Sequence, residues 1–215
     1  MRSKRMPIFY AAVIFLVASC ATSPQVPTPP APSPTAPAAE MAKAKEQRAY
    51  IKDNGLEAYA PESFGKAEEA FLAAEKVYGK DDEQARAKLA LALPLYEQTV
   101  NEGFAKKIAE KKAGADSSKS KADGEKARVA AKETYAAAEA AYAKAGTEAS
   151  SSRNPEAVAA YEEASRKFEE AAVQAAEAKT RAQAAMESAD ASLQSTGELM
   201  KTIDKEMNSA EGGTP

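Results

Sequence analysis

The stretch YEEASRKFEEAAVQAAEAKTRAQAAMESA, residues 161–189, decides the fold. Tyr161, Ala164, Phe168, Ala171, Ala175, Ala178, Ala182, Ala185 and Ala189 recur at alternating steps of three and four residues. That period puts all nine on one side of an α-helix, as a seam that another helix must cover. Most residues between them are strong helix formers: Glu, Gln, Lys, Arg and further Ala. From Ala189 the next step, to Leu193, is a second four, a stutter that locally unwinds a supercoil. Leu193, Thr196, Met200, Ile203 and Met207 then continue the stripe. Pro155 suits the first turn of this helix, and Glu211 to Pro215 should fray.

The same composition holds back to Glu40, and no run of alternating β-branched residues suggests a strand. The chain reads as all-α: an elongated helical bundle of antiparallel, coiled-coil-like hairpins over residues 40–209, with 210–215 a disordered tail. A first helix is expected from about Ala39 to Ile51 or Lys52, stopped before Asn54-Gly55. Pro61 should open a second, with Gly79 and Asp81-Asp82 as the stop and the next start. The third carries Ala85, Leu89, Ala92, Tyr96 and Val100 on one face, extended by Phe104 and Ile108 past Gly103, with a kink expected at Pro94. Gly114 to Gly124 (GADSSKSKADG) has no apolar residue larger than Ala and reads as a solvated loop or a frayed helical bridge, its two glycines favouring the loop. A fourth helix holds Ala131, Tyr135, Ala138, Tyr142 and Ala145 on its seam, and Gly146 to Asn154 (GTEASSSRN) reads as the turn after it. Alanine buries little area, so each contact contributes little and a deep enclosed pocket is not expected.

One motif recurs three times, an aromatic followed by Ala at +3 and an aromatic at +7: Phe64-Ala67-Phe71, Tyr135-Ala138-Tyr142 and Tyr161-Ala164-Phe168. Two rings a heptad apart with a small residue between them suit knob-and-groove contact between helices. The related Ala67-Phe71-Ala74, Ala138-Tyr142-Ala145 and Ala157-Tyr161-Ala164 resemble the second helix of a tetratricopeptide repeat, although the Trp-containing first-helix signature is missing and the copies keep no constant period. That resemblance implies an adaptor with a peptide- or protein-binding groove. Generic bundle packing is the alternative.

The N-terminus has a different character. Arg2, Lys4 and Arg5 precede the apolar run Ile8 to Val17 (IFYAAVIFLV), too short to span a bilayer and suited to a signal peptide. Val17-Ala18-Ser19-Cys20 resembles the bacterial lipobox, and Cys20 is the chain's single cysteine. The resemblance implies cleavage between Ser19 and Cys20, acylation of Cys20 with palmitate-type chains, and a membrane anchor. An uncleaved anchor with an incidental cysteine is the alternative. Residues 1–19 are then signal peptide, and residues 20–39 are the lipidated cysteine and a tether. Ala21 to Ala39 carries seven prolines and no charge. Proline at that density favours polyproline II, so the nineteen residues reach up to roughly 60 Å. By the same resemblance Ala21, not Asp, after the lipidated residue directs the protein to the outer membrane, facing the periplasm, with surface exposure also compatible.

Ala49 to Val100, including APESFGKAEEAFLAAEKVYGKDDEQARA (60–87), resembles the alanine-rich helical domain of unknown function found in many envelope lipoproteins. Ala60-Pro61, Ala67, Ala74, Asp81-Asp82 and Ala85 sit where that pattern wants them. The resemblance implies location and fold, and assigns no chemistry.

Composition narrows the remaining functions. Cleavage before Cys20 would remove three of the 29 Lys+Arg and none of the 32 acids, deepening a net charge of −3 and arguing against nucleic acid. Histidine and tryptophan are absent, which removes His-based catalysis and metal ligation. Acid pairs such as Glu68-Glu69 and Glu169-Glu170 read as solvated faces, supported by i+4 partners such as Glu162-Arg166 and Glu163-Lys167. Asp116 to Lys121 lacks the periodicity of a Ca²⁺ loop. The expectation is no enzyme, catalytic residue, cofactor or metal, but a scaffolding lipoprotein with an envelope protein partner. Contact with peptidoglycan or control of a wall hydrolase is an alternative, non-covalent because the last residue is not Lys.

Overall fold

A computed structural model describes residues 37–211, with side chains to Asn208. The expected signal peptide, Cys20, most of the expected tether and residues 212–215 lie outside the described residues. Within them the chain is an all-α helical bundle. No described helix is long and apolar enough to cross a membrane.

Helix α1 runs Ala38–Asp53, so Ala38 and Ala39 belong to the body and not to the tether. It buries Met41, Ala44 and Ile51, and stops where Gly55 takes φ +61. The Asn54 amide nitrogen donates to the Tyr50 carbonyl (2.8 Å), and Lys107 donates to the Asn54 carbonyl (2.6 Å), so a side chain and a cation satisfy the helix end. A 3-10 turn, Leu56–Ala58, follows, with Leu56 fully buried. Helix α2 (Pro61–Val77) opens on proline as expected, and α3 starts at Asp82 with Asp81 accepting from the Gln84 amide at 2.9 Å.

Helix α3 departs most from the sequence expectation, running Asp82–Gly124 without interruption. It passes through Pro94, whose side chain faces solvent. The segment 114–124, where a loop is favoured over a helical bridge by sequence, is its last three turns. Ala115, Ser118 and Ala122 recur at helical spacing and are buried against α6 and α5. Ser118 Oγ lies 2.9 Å from Ser165 Oγ and donates to Glu169 (3.1 Å). Glycine costs a helix about 1 kcal/mol relative to alanine, and tertiary burial overrides a penalty of that size.

A left-handed residue, Lys126 (φ +58), and the single turn α4 (Ala127–Ala130) reverse the chain into α5 (Lys132–Ser150). The turn expected over Gly146–Asn154 shrinks to three residues, Ser151 to Arg153. Ala145, fully buried, continues the seam of α5 into this stretch and holds it helical, and Ser152 (φ +57) makes the reversal. Helix α6 spans Asn154–Glu211.

Two clusters of buried side chains result. The first joins α1, the 3-10 turn, α2, the N-terminal half of α3 and, through Val158, the start of α6; the second joins the C-terminal half of α3, α4, α5 and α6. Ile108 packs against both. The α6 seam is buried from Tyr161 to Ala175 and half-buried at Ala178. Beyond it Ala182, Ala185, Ala189 and the stripe from Leu193 to Met207 are exposed, contrary to a seam packed along its whole length. The other helices of the described body do not reach that far.

Candidate functional site

Seven of the nine residues singled out by the recurrent motif lie in the interiors of the two clusters, and Phe64 and Tyr142 pack half-buried against them. Tyr135 and Phe168 meet edge to face at 5.3 Å, and so do Tyr142 and Tyr161 at 5.3 Å. Ala138 and Ala164, both fully buried, let the helices approach between these ring pairs. The α5 and α6 copies of the motif therefore interlock antiparallel. The α2 copy finds a different complement. Tyr96 of α3 lies 6.3 Å from Phe64 and 6.2 Å from Phe71, over Ala67. Tyr96 has no motif of its own, and only its place on the α3 seam marks it as buried.

A tyrosine hydroxyl drawn into such a layer needs a partner, and for Tyr96, Tyr135 and Tyr142 an acid supplies it. Tyr96 donates to Glu68 Oε1 (2.5 Å), where Arg48 Nε also donates (2.7 Å), while Arg48 Nη2 reaches Oε2 (2.8 Å). The guanidinium lies over the Phe71 ring at 5.5 Å. Burial pushes the Glu68 carboxyl up, but the hydrogen bonds from Arg48 and Tyr96 outweigh it and hold Glu68 below the usual carboxylate range. Burial, reinforced by the Glu68 carboxylate, drives Tyr96 far above an ordinary phenol. A carboxylate whose oxygens already accept from two side chains is a structural acceptor.

The second cluster repeats this chemistry at heptad spacing. Tyr135 donates to Asp123 (2.6 Å), with Arg128 on its hydroxyl (3.1 Å), and Tyr142 donates to Asp116 (2.5 Å), which also accepts from Lys112 (2.9 Å). Two acids seven residues apart on α3 thus meet two tyrosines seven residues apart on α5, running the other way. The Tyr142 hydroxyl and the Lys112 ammonium hold Asp116 below its ordinary value. Asp116 lies in the segment read as a loop, so the heptad match between acids and tyrosines was the overlooked signal. Glu163 pairs with Lys167 (3.7 Å) as expected, whereas Glu162 reaches across to Lys111 of α3 (3.0 Å).

Among the described residues no three His, Cys, Asp or Glu are grouped to hold a metal. A mainly apolar pocket of about 480 Å³ lies where α6 leaves the bundle, walled by Val129, Ala130, Ala175, Ala178 and Ala182. Ser19 and Cys20, the expected processing and lipidation residues, lie outside the described residues. Comparison with protein-family models, curated proteins and solved structures finds no match to this chain.

Proposed function

We propose that this chain is a lipoprotein of the bacterial cell envelope, anchored through acylated Cys20, and that its helical body acts as a non-enzymatic scaffold for an envelope protein. The observation that carries the reading is the order of features in residues 1–20: a cationic start, a ten-residue apolar run, and Val17-Ala18-Ser19 before the single cysteine. The proline-rich segment that follows supports it, because the helical body starts at Ala38, where the prolines end. Tyr96, Tyr135 and Tyr142 and their acceptors Glu68, Asp123 and Asp116 are committed to helix packing, which suits a scaffold. Ala21 favours the outer membrane, with the body in the periplasm. Metabolic labelling with a palmitate analogue tests the anchor. Label should enter the wild-type protein and be lost in Cys20→Ala, which should also stay at the precursor mass. An unlabelled wild-type protein would refute the anchor.

A further inference from the structure

The exposed C-terminal arm of α6 has a regularity of its own. Ala182, Met186, Ala189, Leu193, Thr196, Met200, Ile203 and Met207 follow steps of 4-3-4-3-4-3-4, an unbroken heptad frame once Met186 replaces Ala185. All eight are exposed, Leu193 at 71 % and Met186 at 67 %. The arm is poorly equipped to stand alone. It contains Gly197, and Thr180, Ser192, Thr196 and Thr202 donate back to the carbonyl four residues earlier, a habit that weakens helices. A heptad stripe on such a helix is completed by another helix.

We propose that the occupant is the same arm of a second copy, running antiparallel, with residues 182–207 paired about a point between Gln194 and Ser195. Side-chain size selects this arrangement. It sets Met207 against Ala182, Met200 against Ala189, Leu193 against Thr196 and Met186 against Ile203, so three of the four kinds of layer pair a large side chain with a small one. A parallel pair stacks methionine on methionine and alanine on alanine, alternately crowded and empty. Flanking charges favour it on balance. Asp190 and Glu206 come beside Lys201 and Arg181 of the second copy, against one like pair, Asp204 with Glu187.

The pocket supplies an independent observation. Ala182 begins the stripe and also walls the 480 Å³ pocket, where Val129 is 84 % exposed. In the antiparallel register Met207 of the second copy lands on Ala182, at the wall of the pocket.

Sedimentation equilibrium of the full chain in a non-ionic detergent should give a dimer. Leu193→Asp with Met200→Asp should weaken dimerisation about tenfold or more while the melting transition of the body stays in place. Both substitutions fall on solvent-facing side chains, so the body folds regardless. Orientation is read in a Cys20→Ser background, where introduced thiols are the only ones. Ala182→Cys chains mixed with Met207→Cys chains should form a mixed disulfide. A monomer at the highest soluble concentration, a dimer unaffected by the double substitution, or ready Met207→Cys self-crosslinking would each overturn the proposal.

Discussion

Glu68 shows how a single side chain in this protein can be placed by chemistry that its neighbours in sequence do not reveal. In the chain it is one half of Glu68-Glu69, and adjacent acids on a helix suggest a solvated face. In the fold Glu68 accepts from Arg48 and Tyr96, residues 20 and 28 positions away, while Glu69 is exposed. A carboxyl held below its unfolded value binds fewer protons folded than unfolded. Its stabilisation is complete above the unfolded value of 4.5 and fades as pH falls through the lower folded one. Glu68→Gln should therefore cost about 2 kcal/mol in urea unfolding at pH 7, the worth of charge-assisted hydrogen bonds in a half-buried setting. The gap between variant and wild type should narrow steadily below pH 4.5. A gap of constant size from pH 7 to pH 3 would mean that the carboxylate charge contributes nothing.

At the scale of the element, α3 explains itself through two of its glycines. Gly103 sits where a β-carbon would come 2.8 Å from Leu56 Cβ and 3.3 Å from the Leu56 carbonyl oxygen, so the 3-10 turn rests directly on the helix. Gly114 has nothing within 4 Å of such a carbon. Alanine at 103 must push the turn away, and chemical denaturation should show a loss of about 1–3 kcal/mol. Alanine at 114 should instead stabilise by about 0.5–1 kcal/mol, since it only removes unfolded-state freedom and improves helix propensity. If Gly114→Ala destabilised the protein, the helical account of residues 114–124 would be wrong. Composition could not separate these glycines. The polarity of 114–124 argues for a loop, whereas the 3-4 spacing of Ala115, Ser118 and Ala122 marks the helix only faintly, because alanine and serine are weak markers of burial.

At the scale of the whole described body, two clusters of modest apolar area are joined through long helices instead of a common centre. Ile108 touches both, and α3 contributes to both. Ile108→Ala, at a half-buried site, should lower stability by about 1–2 kcal/mol. It should also speed amide exchange in α2 and α5 together, and loosening confined to one of them would show that the clusters unfold separately. The sequence by itself determined the all-α class, the starts at Pro61 and Asp82, the stop at Asn54-Gly55 and the seam from Tyr161 to Ala175. These depend on short-range geometry: the period of apolar side chains, the ring of proline, and the freedom of glycine. Only the tertiary structure decided that 114–124 is helical, that Tyr96 fills the space between Phe64 and Phe71, and that the α6 seam outlasts its partners. Periodicity tells which face of a helix must be covered, but what covers it, and for how many turns, depends on where distant parts of the chain come to rest.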